Sequence, residues 1–377
     1  MAKAIRFQTT KSKPCILIVD DVLEEAEAKR LLFSNAADVI ARTPGDVTAH
    51  DLRRGDVVLV DFVLDDWAID VARPIAEYPR NGVALAAVLR SHSSSNSAKA
   101  FALHSGRLDG LSGGLPPASH LHVIAKLNNL EWVFSKTDTD NARPLREQVL
   151  SLARALRKLP STWPMSQPTR MRRILEDLLN IPGRATWRDR AWQHVEDCHP
   201  PIHELSPPTH GVAFIRWLLH SIFPYATFLW DFRYLAARLR VTPRSLGTAL
   251  NKTDSFANKL APFKYNGVLR HFVDHRWWRP GVEHWLWELT EANTFDADTL
   301  AKVMKKLSRH LEPVAIREPV VIFDAELRPT DDLTELSEAV ELLPDDWPPY
   351  AGRPWARRDV AATTPRLRSL IAPSSAL

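Results

Sequence analysis

The run Cys15-Ile16-Leu17-Ile18-Val19-Asp20-Asp21 limits what this chain can fold into more than any other stretch. Apolar residues lead, without alternation, into two adjacent carboxylates. A short apolar run with β-branched residues and no polar interruption predicts a strand buried on both faces, as in a parallel α/β sheet. Open sheets of this kind place ligands outside the carboxyl ends of their strands. Two neighbouring carboxylates repel unless a cation lies between them, and paired oxygen donors suit a hard ion such as Mg2+.

The rest of the first half extends this pattern. Residues 24–35 begin acidic and turn basic, which suits a helix dipole. Residues 37–42 predict a second, short strand. Residues 56–62 repeat the buried-strand pattern and carry Asp61 at its carboxyl end. A helix is expected over 68–78. A further buried strand is expected over 83–89, followed by Arg90-Ser91-His92-Ser93. Residues 131–136 predict another strand, ending in Lys136, and 141–158 an amphipathic helix. The Gly- and Pro-rich residues 106–117, with an added helix over 118–130, read as an insertion near 106–130. Strands alternating with helices predict an α/β, doubly wound, parallel five-stranded sheet of flavodoxin-like order over residues 1–158. Asp20, Asp21, Asp61, Ser91 and Lys136 would then meet at one sheet edge. Three carboxylates around Mg2+, a hydroxyl and an ammonium make a site for a phosphoryl group.

On these residues, the segment 15–158 resembles the receiver domain of two-component response regulators. The resemblance implies that Asp20 and Asp21 bind Mg2+ together with Asp61. It implies that Asp61 is the phosphoacceptor, that Ser91 and Lys136 hold the product oxygens, and that a sensor histidine kinase or another phosphodonor is the partner. The sequence departs from the family at several positions. Thr137 stands where Pro usually follows the lysine, and His92 where a small residue usually follows the hydroxyl. The loop 62–66 lacks its usual Pro and Gly, and Val133 takes the aromatic switch position. The alternative is a receiver that no longer takes phosphate and serves as an interaction module.

The second half has a different character. Residues 159–169 contain Pro160, Pro164 and Pro168 and read as a linker. Helical signals then run over 170–343, and eleven of the thirteen Trp residues lie after Pro160. The most apolar run, 211–230, is interrupted by Arg216, His220 and Pro224, which argues against a membrane span and for buried helices. Residues 231–252 resemble a helix-turn-helix. Val241 would plug the turn, Thr242 would cap the second helix and Pro243 would open it, with Arg240 where a Gly is expected. Arg244, Ser245, Thr248 and Lys252 would lie on the exposed side, suited to DNA. The aromatic and basic residues of 256–293 favour a helical core over base stacking. A basic helix over 299–311, a hairpin or wing over 314–322 and an acidic helix over 331–343 complete this part. The Pro- and Arg-rich tail 344–377 is expected to be disordered.

Cys198, His199, His203, Glu204 and His210 lack the spacing of a zinc site. Two cysteines give no disulfide framework, and residues 1–13 contain no apolar signal core, so a cytoplasmic protein is expected. The net charge of +4 favours an acidic partner only weakly. The sequence thus predicts a response-regulator-like signalling protein without an enzymatic output domain and with no membrane partner. Its helical domain or the 106–130 insertion would dock a partner protein; the alternative output is DNA binding through 231–252.

Overall fold

Of the apolar runs of the first half, all but 83–89 become parallel strands in the computed structural model, which describes residues 13–67, 79–93, 98–107, 111, 121–136, 144–205, 211–252 and 255–375. The helix expected over 68–78, Thr137, His210 and most of 106–120 lie outside the described residues. The chain divides into two units. The first is Met1–Asn180, Pro200–Pro224 and Gly267–Asp274; the second is Ile181–His199, Tyr225–Asn266 and His275–Leu377.

In the first unit β1 (Cys15–Val19), α1 (Leu23–Phe33), β2 (Asp38–Arg42), α2 (Ala49–Arg54), β3 (Val57–Asp61), α3 (Gly82–His92), β4 (Ala100–Ser105), α4 (Leu121–Leu127), β5 (Trp132–Ser135) and α5 (Leu145–Lys158) follow one another. The strand order is β2-β1-β3-β4-β5, and every pairing is parallel. This is the predicted doubly wound sheet in flavodoxin-like order. β1 and β3 are buried at every position, which is why their sequences do not alternate.

Two expectations are corrected. Residues 83–89 are not a strand but lie in α3. The buried residues of that helix are Gly82, Leu85, Ala86 and Leu89, a helical spacing, while Val88 is exposed. The Asn81 side chain accepts a hydrogen bond from the Ala84 N–H at 3.0 Å and caps the helix. The strand lies further on, at Ala100–Ser105, where no residue is β-branched. In consequence, the stretch 106–130 is no insertion. It is the crossover from β4 to the parallel β5, and α4 lies within it.

Gly82 fixes where α3 starts against β3. Its N–H donates to the Phe62 carbonyl at 2.8 Å. A Cβ here would fall on the Asp61 carbonyl oxygen and within 2.9 Å of the Asp61 carbonyl carbon. Backbone cannot swing aside as a side chain can, so Gly82→Ala is expected to destabilise by about 1–3 kcal/mol. Urea unfolding of the variant measures this; a stability equal to wild type would contradict the close approach.

The edge of the sheet beside β5 is fixed by charge. Glu131 is fully buried, and its carboxylate accepts from Arg90 Nη1 at 3.2 Å and Nη2 at 3.1 Å, from Arg216 Nε at 2.7 Å and from the Phe101 N–H. The chain continues through α6 (Pro168–Leu179) and α7 (Arg188–Asp197), which belongs to the second unit. It returns to the first at Pro200, ahead of α8 (Val212–Trp217), which runs into a π-turn over Leu218–Ile222. Arg216 of α8 is thus the charge that interrupts the apolar run and the partner of Glu131. Among the described residues no helix is long and apolar enough to cross a membrane.

The second unit is mostly helical and carries an aromatic cluster. It contains β6 (Leu229–Trp230), α9 (Phe232–Leu239), α10 (Pro243–Asn251), α11 (Ser255–Leu260), β7 (Trp277–Trp278), α12 (Arg279–Leu289) and α13 (Ala297–Leu307). Trp278 is fully buried, with ring centroids of Phe228 at 5.4 Å, Tyr265 at 6.0 Å and Trp187 at 6.1 Å. The aromatics of 256–293 therefore largely serve a core, although Trp287 is exposed.

The end of the chain overturns two further expectations. Residues 331–343 are not a helix: β8 (Pro319–Phe323) and β9 (Pro329–Glu335) form an antiparallel hairpin, and β10 (Ala339–Glu341) follows. The tail is not disordered over its described part. β11 (Trp355–Arg357) pairs with β10 and β8, and α14 (Arg358–Thr363) and α15 (Pro365–Arg368) follow. Ala356, Ala361 and Leu367 are fully buried against Val340 and Leu342. The prolines and arginines dominate the composition of the tail, but this small apolar set folds it onto the hairpin.

Candidate functional site

The carboxyl ends of β1, β3 and β5 converge on one acidic cluster. Asp20 follows β1, Asp61 closes β3 and Lys136 follows β5. Lys136 Nζ lies 2.5 Å from Asp61 Oδ1 and 3.6 Å from Glu25 Oε2. The other Asp61 oxygen accepts from the Val63 N–H at 3.0 Å. Oxygens of Asp20, Glu25 and Asp61 all lie within 4.8 Å of one another. Asp20 and Asp61 are buried and Glu25 is exposed. Lys29, reaching in from α1, pairs directly with Asp20 and stands 3.4 Å from Asp61 Oδ1 and 3.8 Å from Glu25 Oε2.

These neighbours shift the site's acids and bases. Burial pushes the Asp20 carboxyl above its usual pKa, against the opposing hydrogen bond and charge of Lys29. Burial works against the charge on Lys136, but the hydrogen bond and charge of Asp61, with Glu25 and Asp20 behind it, hold its ammonium above the ordinary value. His104 pairs in register with Asp61 across β3 and β4. Burial, and then the charges of Lys29 and Lys136, lower its imidazole to about 4, so it is neutral at physiological pH. Its Nδ1 is buried without a hydrogen-bond partner.

Of the residues predicted from the sequence, Asp20, Asp61 and Lys136 come together. Asp21 points elsewhere: its carboxylate accepts from the Asp66 N–H at 2.6 Å and ties down the loop after β3. Glu25 stands in the cluster instead. Ser91 is not at the sheet edge. It lies in the last turn of α3, exposed, with its hydroxyl donating to the Val88 carbonyl at 2.7 Å. His92 ends the same helix. The hydroxyl at the end of β4 is Ser105, buried, paired in register with Ser135, and accepting from the Arg107 N–H at 2.9 Å. Sequence reasoning missed Lys29, Glu25, His104 and Ser105. The i,i+4 spacing of Glu25 and Lys29 on a helix leaving the Asp20 strand was the available signal for two of them.

The stretch 231–252 has the expected turn geometry. Arg240 adopts the left-handed conformation, φ 54°, at the position where Gly was expected. Its guanidinium donates to the Phe295 carbonyl at 2.9 Å. Val241 is fully buried, and the Thr242 side chain accepts from the Ser245 N–H at 3.2 Å. Arg244, Thr248 and Lys252 are exposed. Ser245 is not: it is buried, and its hydroxyl donates to the Thr242 carbonyl and accepts from the Glu312 N–H. An open groove of about 650 Å³ beside Arg244 and Gly247 is also lined by Asp331 and Asp332. Those carboxylates place negative charge next to the face that DNA phosphates would have to approach.

Among the described residues, Asp20, Glu25 and Asp61 are the one group of His, Cys, Asp or Glu side chains close enough to share a metal ion. The donors are all oxygens, which fits a hard divalent cation such as Mg2+ better than a thiophilic or imidazole-seeking metal. Lys29 stands among those oxygens. The sequence matches no known protein family and no curated protein.

Proposed function

We propose that the protein is a response-regulator-type signalling protein that accepts a phosphoryl group on Asp61. The observation that carries this reading is the Asp61 carboxylate at the end of β3, with Lys136 Nζ at 2.5 Å and the Asp20 and Glu25 oxygens within 4.8 Å. In the reaction, an Asp61 oxygen attacks the phosphorus of a phosphodonor. A new P–O bond forms, the bond to the donor's leaving group breaks, and that group departs with its electron pair. The Lys136 ammonium lies where it can balance charge on the transferred oxygens. Asp20, Glu25 and Asp61 would hold Mg2+, which supplies charge neutralisation at the phosphoryl oxygens. Ser105 takes the hydroxyl role that the resemblance assigned to Ser91. Gly106 follows it, the small residue the family has there, and lies beside the Lys136 stem.

The phosphoryl group adds negative charge at this edge, and the loops that Asp21, Val63 and Ser105 hold are the elements it would bias. The second unit is then the output, acting on a partner protein. The acidic pair beside Arg244 favours this over duplex DNA. A cytoplasmic phosphodonor such as a sensor histidine kinase would be the upstream partner.

The test is direct. Incubation of the full chain with acetyl phosphate and Mg2+ should add the mass of one phosphoryl group, in a form labile at alkaline pH. No mass change, with or without Mg2+, would reject the reading.

A further inference from the structure

We infer that Lys29 is a built-in counter-ion of the acidic site, which must leave before a divalent cation can enter. The inference rests on the reading of this cluster as a cation-assisted phosphoryl site and concerns its regulation. Lys29 Nζ donates to Asp20 and lies 3.4 Å from Asp61 Oδ1 and 3.8 Å from Glu25 Oε2. The oxygens it engages are the ones a metal would need. An ammonium donates protons into lone pairs that a metal must receive, so one lone pair cannot serve both.

Charge gives the same answer. Three carboxylates face two ammonium groups, Lys29 and Lys136. Lys136 approaches from β5 and is held by Asp61 at 2.5 Å, while Lys29 sits between Asp20 and Asp61. A divalent ion entering beside both lysines would meet two like charges at close range. Release of Lys29 removes one of them and returns the Asp20 oxygen. Glu25 is one helical turn from Lys29 and exposed, so it can follow the ammonium outward. Cation and Lys29 therefore compete for one set of oxygens, and by linkage each weakens the hold of the other. At rest two ammonium groups offset most of the charge of the three carboxylates, and Asp61 Oδ1 is shared by two donors rather than free to attack.

The test reads metal binding, not phosphorylation. Mg2+ is titrated calorimetrically into the full chain as wild type, Lys29→Met and Lys29→Gln. Removing a charge-assisted competitor is expected to tighten Mg2+ binding by about tenfold. Equal or weaker binding by both variants, with wild-type circular dichroism, overturns the inference and leaves the phosphoryl reading standing. No Mg2+ binding by any of the three proteins removes the cation from that reading as well. A second measurement needs no variant. Lys29 is only 11% exposed and ion-paired, so its acylation by an amine reagent should rise several-fold when Mg2+ is added. Peptide mass mapping reads this, and an unchanged or reduced Lys29 acylation rate overturns the inference.

Discussion

Glu131→Ala is expected to cost about 3 kcal/mol of unfolding free energy near neutral pH, toward the low end of what breaking a buried ion pair costs. The carboxylate is fully buried, and its removal strands Arg90 and Arg216 together with the Phe101 N–H. The two arginine side chains keep 24% and 30% exposure, so water relieves part of the loss. The effect depends on pH. Burial alone would raise the pKa of Glu131, but Arg90 and Arg216 outweigh it and hold it below the usual carboxylate value. A folded-state pKa below the unfolded one gives stability that is present above about pH 4.3 and is lost as pH falls through the folded value. The gap between wild type and variant should therefore be widest at neutral pH and narrow in acid. Urea denaturation across that range measures it; a gap that widens in acid would contradict the assignment.

The second large effect is chemical. Asp61→Asn replaces the attacking carboxylate with an amide, and uptake of a phosphoryl group from acetyl phosphate should be lost entirely. The fold should survive, because the amide keeps the shape of the side chain and can still accept from Val63 N–H. Lys136→Ala leaves the nucleophile but removes the ammonium, and uptake should slow by about a hundredfold. Time-resolved intact-mass measurements on both variants separate these outcomes. Labelling of Asp61→Asn at the wild-type rate would place the acceptor elsewhere.

The sequence made the sheet legible where burial on both faces demands an unbroken apolar run, as at Cys15–Val19 and Val57–Asp61. It misled where two such runs competed. Residues 83–89 are as apolar as a buried strand, yet three alanines, an Asn81 cap and a helical burial pattern make them α3. The true β4 is Ala-Phe-Ala-Leu-His-Ser, which carries little strand propensity of its own and is a strand because its neighbours β3 and β5 make it one. That single error moved the hydroxyl from Ser105 to Ser91 and turned an ordinary crossover into an insertion. Lys29 escaped for another reason. Its ion pairs join α1 to the ends of two strands, one of them 32 residues away in sequence, and only the folded sheet brings them together.

Borohydride trapping tests the central claim most directly. It reduces an aspartyl phosphate to homoserine and leaves free carboxylates untouched. Wild-type protein treated with acetyl phosphate and Mg2+, reduced and digested, is predicted to carry homoserine at Asp61 and at no other acidic position. Homoserine at Asp20 or Asp21, or none anywhere, would contradict the assignment of Asp61 as the phosphoacceptor.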